Sequence, residues 1–426
     1  MHTSDKYKKA VGISCLAAFV LISAAAAVDM VRYILLGSMV PLVSQCFTEV
    51  ILVLIGLLAW QSRLPVLLVL AAAVALPVGI QTNYLETTLF NFGFFVQAGI
   101  ALLAAAAGSW FQLSGKTAPR RPKLWSAALL VVILAGGLAF WQGNLAVARS
   151  SPTAGSSIWA VPECFTGPAA QEGTVEELTY TTKAYATDER EVDKTAYVYL
   201  PSGYDPNQDY NILYLLHGTG DSERSWLLDH PENKEMVDQL IEQGVIDPLI
   251  IVTPTFYVEE DCAGNLDALT YSFVKELRND LMPAVESRYS TYAASADDQG
   301  FADSRDHRAF AGLSRGAVTT YHSVLCGSLD YFSWFGTFSG CRTTAEYFQQ
   351  TLQSEQFGQY PIHYLYATSG TMDFAMPGQV QDYHTLLEIE PRLTEGENTA
   401  FDIFPMQSHS WTSWNLALYN FLQRIF

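Results

Sequence analysis

The chain has 426 residues, half of them hydrophobic, with 24 Lys+Arg against 43 Asp+Glu and a formal charge of −19. That balance argues against a nucleic-acid surface. The charge is also divided unevenly: residues 1–150 carry 10 basic and 4 acidic side chains, and the remainder 14 and 39, so an acidic C-terminal part follows a basic start. Such a part suits a solvated exterior surface and disfavours strongly anionic substrates unless its cleft is locally basic.

The N-terminal third is a series of long apolar runs: Ala10 to Val28, Val40 to Trp60, Leu64 to Ile80, Leu89 to Trp110 and Leu124 to Trp141. At 1.5 Å of helical rise per residue, about 20 residues span the hydrocarbon layer, so the expectation is an all-α transmembrane domain over 1–145 with about five spans. Glu49 is the one acid inside a run, facing the bundle interior or shifting the span. Lys6, Lys8 and Lys9 before the first run, with Ala24 to Ala27 near its end, also permit a cleaved leader. Positive charge favours the cytoplasm, and the cluster Lys116, Arg120, Arg121 and Lys123 falls on the same side as the N-terminal lysines after four spans. Arg32 is an exception. The fifth span then delivers the rest of the chain outside, as a multi-pass protein with an extracytoplasmic C-terminal domain. Residues 146–173, rich in Ser, Pro and Gly, read as a linker.

From residue 174 the pattern alternates between strand and helix. Tyr210 to Leu216 is an apolar strand run ending in His217-Gly218-Thr219-Gly220. A strand that breaks into His-Gly-x-Gly suits a loop supplying one backbone amide to an oxyanion hole; Thr219 is the first candidate and Gly220 its competitor. Tyr257 to Leu269, with Glu259, Glu260 and Asp261, is expected at the rim of a cleft, and Ala293 to Arg308 as a surface loop. His307 to Ala311 then leads into Gly312-Leu313-Ser314-Arg315-Gly316, with helix after it. Gly-x-Ser-x-Gly between strand and helix is the nucleophile elbow of α/β-hydrolases, and the amide of Arg315 would be the second oxyanion donor. Serine needs a base and a residue to orient that base. Ile362 to Thr368 runs into Gly370-Thr371-Met372-Asp373, and a last strand around Phe401 to Pro405 precedes His409 and a C-terminal helix. The order Ser314, Asp373, His409 is that of α/β-hydrolases.

Eight histidines compete for the base, and only His409 follows both Ser314 and Asp373 at a strand-to-helix loop. His217 reads as a loop-shaping residue, His307, His322, His363 and His384 as structural, His230 as a loop residue, and His2 precedes the apolar region. Asp382, in an expected helix, and Asp402, in an expected strand, are the alternatives to Asp373. Trp226 and Phe374 flank the motif loops, with core packing and substrate contact both open. Cys15 and Cys46 lie in apolar runs; Cys164, Cys262, Cys326 and Cys341 lie beyond them and allow three complete pairings. Cys326 with Cys341 is favoured, from the end of the post-elbow helix to the neighbouring strand Phe335 to Ser339, with Cys164–Cys262 as complement.

These motifs, with Ile250-Ile251-Val252-Thr253-Pro254-Thr255, Phe273 to Pro283 and His409-Ser410-Trp411, resemble from about Val175 onward the esterase D/feruloyl esterase type of α/β-hydrolase, the carbohydrate esterase family 1 group related to mycolyltransferases. Arg315 departs from the methionine of many members. The resemblance implies a mostly parallel mixed sheet with helices on both faces over 174–426, and hydrolysis of carboxylic esters, often acyl substituents on carbohydrate, without metal or organic cofactor. Ser314, His409 and Asp373 would be nucleophile, base and orienting acid. Transfer of the acyl group to a surface glycan or lipid is the alternative, and a non-catalytic surface binding module a reading of another class.

Overall fold

Eight strands form one sheet in the order β1-β2-β4-β3-β5-β6-β7-β8. β1 (Thr174–Lys183) and β2 (Glu191–Leu200) are antiparallel to each other, and β2 is antiparallel to β4 (Leu249–Thr253). From β4 through β3 (Asn211–Leu216), β5 (Arg308–Leu313), β6 (Trp334–Phe338), β7 (Tyr364–Gly370) and β8 (Thr399–Phe404) every pairing is parallel. This is the α/β-hydrolase sheet. The computed structural model describes residues 142–426, apart from 152, 259–263 and 372, together with Leu103, Ala106 and Ala107. The chain divides into two compact units, Met1–Ala146 and Val147–Phe426, and the strands all belong to the second. The five apolar runs expected as membrane spans lie outside the described residues, except for Leu103, Ala106 and Ala107. Among the described residues no helix is long and apolar enough to cross a membrane.

Central parallel strands buried on both faces need apolar side chains at consecutive positions, which explains why β3, β4 and β5 read as unbroken runs. Successive side chains point to opposite faces. Ile212, Tyr214, Leu216, Ile250, Val252 and Phe310 join one core with Phe273, Leu277 and Tyr321. Leu213, Leu215, Ile251, Ala309, Ala311 and Leu313 join the other with Trp226, Met236, Trp414 and Phe421. The helices covering these faces are α1 (Pro231–Glu242), α2 (Leu266–Glu276, running on through a π-helical turn into Met282–Glu286), the short α3 (Asp298–Asp303), α4 (Arg315–Thr319), α5 (Ala345–Leu352), α6 (Met376–Ile389) and α7 (Trp411–Leu422). Each fully buried Leu, Ile or Phe contributes roughly 1.5–3 kcal/mol of transfer free energy, so the two cores supply most of what holds the sheet.

Three expectations change. The stretch 293–308 is not simply a surface loop: it contains α3, capped by Asp297, and ends in Arg308, which is 1% exposed. Arg308 donates to both Glu286 oxygens at 2.8 Å and to the carbonyls of Phe301 and Tyr331. Buried charge survives only when paired and hydrogen-bonded in this way. The second change concerns 146–173. Its beginning is tied to β8, where Ser151 and Thr153 donate to the Phe401 carbonyl and Ser156 and Ser157 to Asp402. It then crosses α7 and α1, with Trp159, Val161 and Phe165 against the core and Gly173 N donating to Asp238 at 2.8 Å. Serines and glycines are prominent in its composition, but Trp159, Val161 and Phe165 pack and the hydroxyls of Ser151, Thr153, Ser156 and Ser157 are bonded, so it is a packed strap. Third, Cys326 and Cys341 are both free thiols, as is Cys164. Cys341 lies beside Asp382 instead, and burial, reinforced by that carboxylate, pushes its thiol well above the usual range. Cys262 lies outside the described residues.

Candidate active site

Each candidate residue sits where a strand ends at the same edge of the sheet, which is where α/β folds place ligands. Ser314 follows β5, Asp373 follows β7, His409 follows β8, and His217 to Gly220 follow β3. The turn at Ser314 is tight enough that its backbone adopts φ 50°, ψ −111°. Glycine is required on both sides: a Cβ on Gly312 would stand 2.4 Å from the Gly316 carbonyl carbon, and one on Gly316 would stand 2.6 Å from the Leu216 carbonyl oxygen. Ser314 N–H donates to the Phe338 carbonyl at 2.8 Å, which locks the turn to β6. Strain of this kind, of order 1–3 kcal/mol, persists only where the surroundings over-determine it.

The three residues named from chain order meet. His409 Nε2 lies 3.0 Å from Ser314 Oγ, and His409 Nδ1 lies 2.9 Å from Asp373 Oδ1. Asp373 is buried, its Oδ1 also accepts from Ala375 N–H at 2.8 Å, and its Oδ2 is buried without a partner among the described residues. The imidazole is held between the Phe374 ring at 4.2 Å and the Trp414 ring, edge-on, at 5.0 Å. With Nδ1–H donated to the carboxylate, Nε2 is left with its lone pair toward the hydroxyl, the geometry in which a serine proton can be taken. The rival acids are elsewhere. Asp402 receives the strap hydroxyls and Asp382 faces Cys341.

Of the two expected oxyanion amides, Thr219 N–H and Arg315 N–H make no hydrogen bond among the described residues. The competitor, Gly220 N–H, is occupied by Tyr257 Oη at 3.0 Å. Gly218 lies directly against the nucleophile, since a Cβ on it would stand 3.0 Å from Ser314 Cβ. This loop is shaped by His217, fully buried, whose Nδ1–H donates to the Gly218 carbonyl at 2.7 Å while Nε2 accepts from Thr255 Oγ1–H at 2.8 Å. Thr255 in turn offers its carbonyl to Lys194 Nζ, which pairs with the buried Glu276 at 2.7 Å.

Burial lowers the His217 pKa from 6.5 to about 4. Because the folded value is the depressed one, the unfolded chain takes up the proton first as pH falls. The stabilisation is therefore complete above pH 6.5 and is lost as pH falls toward 4. The expected loss is about 3 kcal/mol. Urea unfolding of wild type and His217→Gln at pH 7 and pH 4.5 checks this: the difference between the two proteins should shrink at the lower pH. An unchanged difference would mean that His217 is not held neutral.

One neighbour escaped the sequence reading. Asp221 lies near Gly218, Trp411 and His409, and burial pushes its carboxyl up against the opposing pull of those groups; nothing in the motif marks it beyond its position after the glycines. The Arg315 side chain turns away from the serine to Asp267 in the first turn of α2. Phe374 is 43% exposed beside His409, whereas Trp226 is wholly buried with Nε1–H donated to the Leu216 carbonyl, a core residue. Tyr257 and Gly264 to Leu269 are described at the expected rim; Glu259, Glu260 and Asp261 are not. A cavity of about 300 Å³ lined by Asn211, Asp247 and Arg424 lies at the opposite ends of β3 and β4 and contains none of these groups.

Fold and site together define the class, an α/β-hydrolase with a serine on its nucleophile elbow. Residues 188–425, more than half of the chain, match the Esterase family model, and the chain belongs to that family. It is similar to endo-1,4-beta-xylanase Y of Acetivibrio thermocellus, at 41% identity over 179 residues, and to an endo-1,4-beta-xylanase/feruloyl esterase of Xylanibacter ruminicola, at 31% over 153. Those matches cover 42% and 34% of this chain but only 15% and 19% of the relatives, so the chain spans under a fifth of each. Among solved structures, the feruloyl esterase module from Clostridium thermocellum complexed with sinapinate superposes at TM-score 0.56 and 30% identity, covering 63% of this chain and 94% of that one. An Anaeromyces mucronatus ferulic acid esterase, at TM-score 0.51 and 22% identity over 63% of this chain and 97% of the other, shares the fold.

Proposed function

We propose that the second unit is a serine carboxylic-ester hydrolase that removes acyl substituents from carbohydrate through an acyl-enzyme, and that the N-terminal unit anchors it at the outer face of a membrane. The observation that carries the chemistry is the run of contacts from Ser314 Oγ through His409 to Asp373. Ser314 Oγ attacks the ester carbonyl as His409 takes its proton. The carbonyl oxygen becomes an oxyanion facing Thr219 N–H and Arg315 N–H, each such donor supplying on the order of 3 kcal/mol. Collapse expels the alcohol with the proton from His409. Water, deprotonated by the same imidazole, then attacks the acyl-serine, and the acid leaves as Ser314 recovers its proton. Asp373 fixes the imidazole tautomer and offsets its positive form. The carbohydrate ester is suggested by the feruloyl esterase relatives, and the exposed Phe374 beside His409 offers an aromatic surface to such a substrate.

Anchoring is supported by the five apolar runs of residues 1–145 and by the lysine and arginine clusters that bracket them. The same runs favour, as a second reading, transfer of the acyl group to an alcohol borne by a surface glycan or lipid.

One experiment addresses all of this with the full chain in native membranes. Feruloylated and acetylated xylo-oligosaccharides should release free acid, and a fluorophosphonate should add to Ser314. Acylated acceptor exceeding free acid would favour transfer, and no adduct and no turnover would leave only a binding role. In intact cells a membrane-impermeant maleimide should label the exposed Cys164; labelling only after lysis would place the unit inside.

A further inference from the structure

Arg315 and Arg342 reach the same atom. Both donate Nη1–H to Asp267 Oδ1, Arg342 at 3.3 Å. One carboxylate thus stands between two guanidiniums, leaving an excess of one positive charge. Arg315 is adjacent in sequence to Ser314 and its side chain is 15% exposed, while that of Arg342 is 57% exposed. Two residues before Arg342 the chain passes against the backbone of the serine turn, since a Cβ on Gly340 would stand 2.5 Å from the Ser314 carbonyl oxygen. Tyr271 Oη donates to the Arg342 carbonyl at 3.5 Å. Behind it the His322 ring is stacked between Tyr271 at 3.6 Å and Tyr347 at 4.2 Å, so the wall carrying these charges is braced. The Arg315 guanidinium, first among its neighbours, holds the Asp267 carboxyl below the usual range, so this acid stays ionised.

A basic rim is unexpected in a part of the chain with a net charge of −25. A planar guanidinium with donors to spare is suited to a carboxylate. We infer that Arg342, supported by the Arg315–Asp267 pair, selects esters that carry a carboxylate on the acyl group or on the alcohol. The inference rests on Ser314 being the nucleophile beside this rim.

The test compares kcat/KM within two matched pairs, using the full chain. Hydrogen adipate and hexanoate esters of 4-nitrophenol place the charge on the acyl side; 3-acetoxybenzoate and phenyl acetate place it on the alcohol side. The acid-to-neutral ratio in one pair should fall about fivefold in Arg342→Gln, the size of one partly exposed ion pair. The same ratio should be retained in Arg342→Lys and should fall at high salt. In Asp267→Asn, which removes the competing carboxylate, it should rise; a gain cannot come from misfolding. A ratio unchanged in Arg342→Gln or in Asp267→Asn, with neutral esters still hydrolysed, overturns the inference and leaves the esterase reading standing. No hydrolysis of either neutral ester removes both.

Discussion

Ser314→Ala is expected to lower kcat toward esters by about 10⁵- to 10⁶-fold, with KM little changed. Alanine cannot form the acyl-enzyme, so any remaining turnover must come from water attacking an ester polarised by Thr219 and Arg315. Hydroxyl removal leaves the elbow intact, because what builds it is the Ser314 N–H bond to Phe338 and the absence of side chains at 312 and 316. Alanine at φ 50° is about as strained as serine, so stability should stay within about 1 kcal/mol of wild type. Burst kinetics with a chromogenic ester, beside a urea melt, separates the possibilities. A loss under tenfold in a folded protein would mean that another nucleophile does the chemistry.

Asp373→Asn should lower kcat by about 10³- to 10⁴-fold. The carboxylate accepts Nδ1–H from His409 and N–H from Ala375 through one oxygen, and has its second oxygen buried and unpartnered. An asparagine that keeps its carbonyl on those two donors preserves the tautomer but loses the charge opposite the forming imidazolium. One that turns its amide toward His409 imposes the wrong tautomer, with Nε2 protonated and unable to accept from serine. Either arrangement slows the step without touching the oxyanion amides, so fluorophosphonate labelling of Ser314 should slow in parallel with ester turnover. Asp402→Asn, whose carboxylate instead receives Ser156 and Ser157, serves as the control for an acid at the other position.

The candidate site was more legible in the sequence than its surroundings, for a physical reason. A serine on a strand-to-helix turn forces glycine at 312 and 316, and His-Gly-x-Gly follows from a chain that must pass within contact of that serine; these are steric demands met by few residue types. The order of strands and the antiparallel β1–β2 pair are set by long-range pairing, which leaves no local mark. The strap at 151–173 was hidden because its composition is that of a loop, and its anchoring depends on where β8 ends up. Pairing Cys326 with Cys341 failed because nearness of two elements says nothing about whether two side chains face each other; Cys341 faces Asp382. The Arg315 side chain was undecidable from sequence, since its partner Asp267 lies 48 residues away.

The strap bears on how the unit withstands being pulled or trimmed. β8 and β1 are the two outer strands of the sheet, and residues 151–173 run from one to the other across α7 and α1. A load arriving along the chain from upstream of Val147 therefore meets the Ser151, Thr153 and Ser157 bonds at β8 before it can reach and peel the β1–β2 hairpin. For the same reason, a recombinant fragment cut at 174, where the strands begin, would strip three hydroxyl groups from the buried Asp402 and uncover the face of Tyr419 that Phe165 covers. The smallest self-sufficient piece begins at the strap.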